Sequence, residues 1–287
     1  MSLQSTYDIV IIGSGAGGGT VADVVSRETD PDTDILVLEG GPLWRHEQFN
    51  ETERDMGRLY FSRGAKPSKN LTVNLAAASA VGGSTVVYTG VSFRPPDRVM
   101  HHWREDFGLD FLTDDFVDGT LDGIEDDLNV HELPESWDND NNRLFKEACD
   151  DLGIPAKRLR LNLDGCEELG FCNLGCRVGA KQGTMEVQLP RAVDRGVQLV
   201  HNAWVDRITR DTVHFTVQEA PPRTEPNVVD TGAHHVTADT IVVAAGALNT
   251  PALLRRSEDG LGWENENVGR FLTLHPTYNV NAIYPEE

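Results

Sequence analysis

At 287 residues the chain can hold two ordinary domains or one large one, and it is long enough to bury a sizeable core. Forty-six acidic residues against 25 basic ones leave a net charge of −21, which argues against binding phosphate backbones or anionic membranes. No run approaches the roughly 18 apolar residues of a membrane-spanning helix, residues 1–8 show no basic, cleavable leader pattern, and four cysteines are too few for a disulfide scaffold.

The expectation is a cytoplasmic protein with no nucleic-acid or membrane partner. Its acid-rich, lysine-poor composition resembles the surfaces of halophilic proteins. Residues 7–12 are apolar and rich in β-branched side chains, which predicts a buried parallel strand. A glycine-rich turn and a helical pattern to about Arg27 follow, and residues 34–38 predict a second buried strand ending on Glu39. Residues 47–74 are polar and irregular and read as an excursion over the surface. Residues 76–91 are rich in small side chains around Gly82 and Gly83. Residues 113–129 predict an acidic amphipathic helix with Leu112, Phe116, Leu121, Ile124 and Leu128 on its apolar side. Residues 139–152 predict another, ended by Gly153 and Pro155. After a cysteine- and glycine-rich stretch over 165–184, strands are predicted at 197–200, 204–209 and 213–217, and a loop at 219–233. A last buried strand, 240–245, runs into Gly246 and a helix from about Thr250.

Gly13, Gly15 and Gly18 form a G-x-G-x-x-G turn between a strand and a helix. Gly13 allows the tight turn, Gly15 lets a pyrophosphate approach the backbone, and Gly18 lets helix pack on strand. The helix N-terminus offers free N–H groups and a positive dipole end to the phosphates. Glu39, 21 residues beyond Gly18, stands where a carboxylate accepts hydrogen bonds from ribose hydroxyls and repels a 2′-phosphate. The pattern is therefore dinucleotide-binding, with NADP disfavoured.

Further stretches resemble the glucose–methanol–choline (GMC) family of flavin oxidoreductases, in family order. They are residues 8–22 with Glu39, residues 81–90, residues 246–257 and residues 267–276, together with the strand pair at 191–208. The resemblance implies an α/β fold: a FAD-binding, Rossmann-type parallel sheet with a β-meander, plus the start of a substrate or cap domain. It implies FAD as cofactor, held by Gly13, Gly15, Ala16, Gly18 and Glu39 at the first turn. Gly82, Gly83, Ser84, Thr85 and Tyr88 are implied beside the isoalloxazine, Val205 beside the adenine, and Ala245 and Gly246 at the second turn. The implied reaction passes a hydride from an alcohol CH–OH group to the flavin. The implied organisation assigns 1–98 and 166–272 to the FAD-binding domain, 99–165 to a substrate-side cap region, and 273–287 to the start of a substrate-domain sheet. The alternatives are a non-catalytic flavin-binding half and an NAD-dependent Rossmann dehydrogenase; the latter gives no role to residues 81–90 or to Gly246.

Two departures qualify the resemblance. Tyr88 stands where the family usually has Asn. The family's catalytic His lies beyond the matched stretches and none of the nine His here falls in a matching motif, so no catalytic base is carried over. The expectation is an N-terminal portion of a longer enzyme, inactive by itself. A partial alternation at 278–284 predicts a half-buried strand through which it would self-associate, unless a C-terminal portion complements it. Cys166, Cys172 and Cys176 form a local trio whose spacing matches no common metal site, so structural thiols are favoured over a metal, a cluster or a disulfide. Cys149 reads as a small core residue. His101 and His102 are adjacent and diverge, so they do not chelate together. The acids between Asp114 and Asp127 lack the glycine and ligand spacing of a calcium loop and read as a solvated helix face.

Overall fold

The structure is a computed structural model that describes residues 2–274. The β-branched run becomes β1 (Thr6–Ile12), with Val10 and Ile11 fully buried. Helix α1 (Ala16–Glu28) starts from the extended backbone of Gly15 and returns the chain to β2 (Ile35–Leu38), every residue of which is buried. Ala22 of α1 packs on Ile11, Ile35 and Val37 of the sheet, and Ala192 and Val197 complete that cluster.

The chain then leaves the sheet. Alongside the short helix α2 (Glu53–Met56), the segment builds a second core in which Trp44, Phe49, Met56 and Leu59 pack with Ala80, Val86 and Val87. The surface excursion expected over 47–74 is therefore corrected in part. Its apolar residues are too irregularly spaced to show a period, yet three of them anchor this core.

Helices α3 (Asp97–Phe107), α4 (Asp114–Asp127) and α5 (Asp140–Asp151) follow. The latter two are N-capped by the side chains of Thr113 and Asn139. Strands β3 (Val130–Glu132) and β4 (Arg160–Asn162) form a separate antiparallel pair. No residue of α4 is buried, and Phe116 and Ile124 on its expected apolar side are exposed. Charge links α4 to its neighbours: Arg94 bonds to Asp122 and Glu125, and Glu125 is shared with Arg160.

Helix α6 (Gln188–Asp194) leads into β5 (Gln198–Val200), β6 (Ala203–Ile208), β7 (Thr212–Val217) and β8 (Gly232–Val243), then α7 (Gly246–Arg256) and α8 (Glu258–Leu261). The sheet order is β5-β2-β1-β8-β7-β6. The first four strands are parallel and the last two continue antiparallel as the meander. Strand β8 serves both parts: residues 232–237 pair with β7, and residues 237–243 pair mostly with β1. It begins eight residues before the strand expected at 240, because its first half is partly exposed and carries no continuous apolar run. The main core joins Tyr7, Val10, Leu36 and Leu38 to Phe215, Val236 and Leu253. Among the described residues no helix is long and apolar enough to cross a membrane. The strand expected at 278–284 lies outside the described residues.

Candidate functional site

Three neighbouring parallel strands deliver their C-terminal ends to one cleft. Gly13, Gly15 and Ala16 come after β1, Glu39, Gly40 and Gly41 after β2, and Ala244, Ala245 and Gly246 after β8. That is where open α/β sheets hold their ligands. Gly83 and Ser84 form another wall, Val205 and Trp204 a third, and the whole space is about 1850 Å³, open to solvent. Phe61 stacks on Trp204 at its rim, with ring centroids 6.1 Å apart.

The glycines divide by what a Cβ would meet. At Gly13, where φ is +99°, it would lie 2.4 Å from the Ala244 carbonyl oxygen; at Gly18, 1.8 Å from that of Gly13. These two let protein pack on protein. At Gly15 the nearest atom is Gly83 Cα, 3.6 Å away. Nothing in the protein forbids a side chain there, so the bare backbone leaves room for a ligand beside the N-terminus of α1. Gly83 has φ +53° and presses on Gly15, its Cβ position lying 2.7 Å from Gly15 Cα.

Glu39 is 9% exposed. One carboxylate oxygen accepts from the Ser14 N–H (2.9 Å) and hydroxyl (2.7 Å), the other from the Gly41 N–H (2.8 Å). Burial pushes its carboxyl up, and the bonds from Ser14, Gly41 and the Gly40 backbone pull it back. The Gly82 N–H donates to the Ser14 hydroxyl at 3.0 Å. Ser14 thereby ties the 82–85 loop, the first glycine turn and Glu39 into one unit. Its place between two glycines gives no sequence signal of that role.

Of the residues expected at the cofactor, Gly13, Gly15, Ala16, Glu39, Gly83, Ser84, Val205, Ala245 and Gly246 line the cleft. Gly18, Gly82, Thr85 and Tyr88 lie behind that lining. A Cβ at Gly82 would meet Met185, 2.9 Å away. The Thr85 hydroxyl donates to the Gly82 carbonyl (2.7 Å), and the Tyr88 phenol accepts from Asn162 Nδ2. Burial pushes that phenol up. Two further residues went unread: Thr184, whose hydroxyl lies 3.1 Å from the Ser14 carbonyl, and Lys181, which bonds the loop from behind.

Cys166, Cys172 and Cys176 line a separate, much smaller pocket, with Glu51, Phe171 and Lys181 in its wall. All four cysteines are free thiols, Cys149 is buried, and burial pushes the Cys172 thiol up. Among the described residues no group of three or more His, Cys, Asp or Glu is placed to hold a metal ion. His101 and His102 are exposed, His102 bonding Asp106 one turn along α3.

The residues present fit an extended dinucleotide: a bare backbone at Gly15, a helix N-terminus beside it, and a buried carboxylate at the end of β2. Fold and cleft together define a Rossmann-type dinucleotide-binding scaffold of the flavoprotein kind. The family model for GMC oxidoreductases matches residues 7–277, and the chain belongs to that family, whose cofactor is FAD. It is 36% identical over 285 residues to an uncharacterized GMC-type oxidoreductase of Mycobacterium tuberculosis, covering 98% of this chain and 43% of that protein. It is 30% identical to a long-chain-alcohol oxidase of Arabidopsis thaliana, over 98% of this chain and 38% of that one. Among solved structures, pyridoxine 4-oxidase of Mesorbium loti superposes with a TM-score of 0.59 at 20% identity, covering 88% of this chain and 52% of the other. The formate oxidase of Aspergillus oryzae does so with a TM-score of 0.60 at 16% identity, covering 90% and 48%. At those identities the structures speak to the fold. The chain spans less than half the length of these curated relatives.

Proposed function

We propose that the protein is an FAD-dependent oxidoreductase acting on the CH–OH group of an alcohol, with this chain forming the cofactor side of the reaction. The observation that carries the proposal is the cleft itself, which gathers Gly15, Glu39, Gly83 and Gly246 from across the sequence into one nucleotide-sized space. Bound FAD supplies the redox chemistry, taking a hydride from the alcohol carbon. The chain's own residues bind and orient. Gly15 and the N-terminus of α1 receive the pyrophosphate, and Glu39 accepts from the ribose hydroxyls while holding Ser14 and Gly41. Gly83 and Ser84 would form the wall against the isoalloxazine, and Val205 would stand beside the adenine. The long-chain-alcohol oxidase relative supports an alcohol substrate, and four free thiols are consistent with a reducing, cytoplasmic setting.

Anaerobic titration of the full-length protein with a panel of alcohols tests this. The flavin's visible absorption should bleach with at least one alcohol. A protein that holds flavin and stays yellow with every alcohol is a binding half, and the catalytic reading fails. Gly15→Val should abolish co-purification of flavin; a variant that retains stoichiometric flavin overturns the assignment of the cleft.

A further inference from the structure

Lysine is rarely fully buried unless paired, yet Lys181 is 4% exposed. Its ammonium donates to the carbonyl oxygens of Val86 (2.7 Å), Tyr88 (2.8 Å) and Cys172 (2.5 Å). That uses all three of its donors, and every acceptor is backbone. Val86 and Tyr88 belong to the back of the loop whose front, Gly83 and Ser84, lines the cleft. Three residues along, Thr184 grips the same loop: its N–H donates to Thr85 Oγ1 at 3.2 Å, and its hydroxyl lies 3.2 Å from the Gly82 carbonyl. The loop turns sharply, with Gly82 and Gly83 both at positive φ, so bonds from behind help to hold it.

We infer that Lys181 is a positioning residue of the cofactor site: its ammonium fixes the 82–88 loop from behind, sets the surface that Gly83 and Ser84 present, and leaves one positive charge buried behind that wall. The inference rests on the reading that the cleft holds FAD. Its consequence is that a lysine remote from the cleft lining controls cofactor affinity through the loop and through its charge.

Burial pushes Lys181 down to about 8 from its ordinary 10.5. The groups facing it are the Cys172 and Cys176 thiols and the Glu186 carboxylate, which favour the charged form when they are ionised. As pH rises through about 8 the amine keeps two donors for three carbonyls and the charge disappears, so affinity for anionic FAD falls. The stability of the cofactor-free fold moves the other way. A lysine that holds its proton less tightly folded than unfolded gives stability that rises between about pH 8 and 10.5. The opposite signs separate positioning from mere structural support.

The test measures FAD dissociation constants by flavin fluorescence, at about pH 7 and about pH 9 on either side of that value. The proteins are the purified chain, Lys181→Met and Lys181→Gln. At the lower pH the Met variant should bind FAD about tenfold more weakly, the effect of unpaired buried carbonyls. Its thermal midpoint should fall as well, because the same three buried carbonyls lose their donor, so the pH profiles separate positioning from support. Gln, with two donors, should recover part of the affinity. The wild-type affinity should drop between the two pH values by more than that of either variant, with no parallel fall in the midpoint of the cofactor-free protein. Equal affinities in all three proteins, or one pH profile shared by all, would overturn the inference. If both variants fail to fold, a flat wild-type profile overturns it and a falling one upholds it. Absence of FAD binding by the wild type overturns the cofactor reading, and this inference with it.

Discussion

A Cβ added at Gly18 would lie 1.8 Å from the Gly13 carbonyl oxygen, whereas one added at Gly15 meets nothing closer than Gly83 Cα at 3.6 Å. The two substitutions should therefore fail differently. Gly18→Ala should cost about 3 kcal/mol or more of stability by overpacking backbone against backbone. Gly15→Ala, at φ −68°, should stay within about 1 kcal/mol of wild type and still weaken FAD binding. Denaturant unfolding and FAD titration of both variants check this; a destabilised Gly15→Ala would mean that the position serves packing after all. At this scale the glycines and Glu39 were readable, because spacing alone distinguishes them. Ser14 and Lys181 were not. A serine between two glycines carries no pattern, and nothing in the spacing around Lys181 says that the fold closes three carbonyls around it.

Strands β1, β2 and the second half of β8 were readable as elements because burial on both faces demands unbroken apolar runs. The start of β8 was not, since Ala233, His234 and His235 owe their strand to pairing with β7 rather than to their own pattern. Helix α4 divides the same way. Its ends follow from Thr113 and the apolar spacing, but the spacing does not say that Phe116 and Ile124 stay exposed. The helix depends instead on Arg94, whose guanidinium beside Glu125, with Arg160, holds that carboxyl down at about 2. A carboxylate held below its unfolded value gives stability that is complete above about pH 4.5 and lost as pH falls towards 2. The protection of α4 amides, measured against their intrinsic exchange rates, should accordingly fall through that window. In Arg94→Ala the protection should be lower already at neutral pH, and most of the acid step should be gone. An unchanged acid step would show that α4 is held by something other than this cluster.

Across the whole molecule, 46 acids outnumber the 25 bases by more than pairing can absorb. Even where pairing occurs it is shared, as when Arg94 serves Asp118, Asp122 and Glu125 together. The surplus repels itself in the folded state, and salt at 0.1 M screens such repulsion beyond about 10 Å. The thermal midpoint should therefore rise with added sodium chloride from low ionic strength, before specific-ion effects enter. A flat or falling midpoint would remove the basis for a high-salt adaptation. The net charge itself is readable from composition alone, because it requires no knowledge of the fold.

The double service of β8 bears on how the protein is made. Thr6 meets Thr237 across 231 residues of sequence, while the opposite edge of β1 finds β2 almost at once. During synthesis at roughly 5–20 residues per second, that first edge stands open for on the order of 10–50 s. Through that interval the backbone of residues 9–12, flanked by apolar side chains, is a template for any other strand nearby. The nascent chain thus passes through a period in which a chaperone's grip, or crowding by its own kind, decides the yield before any cofactor can bind.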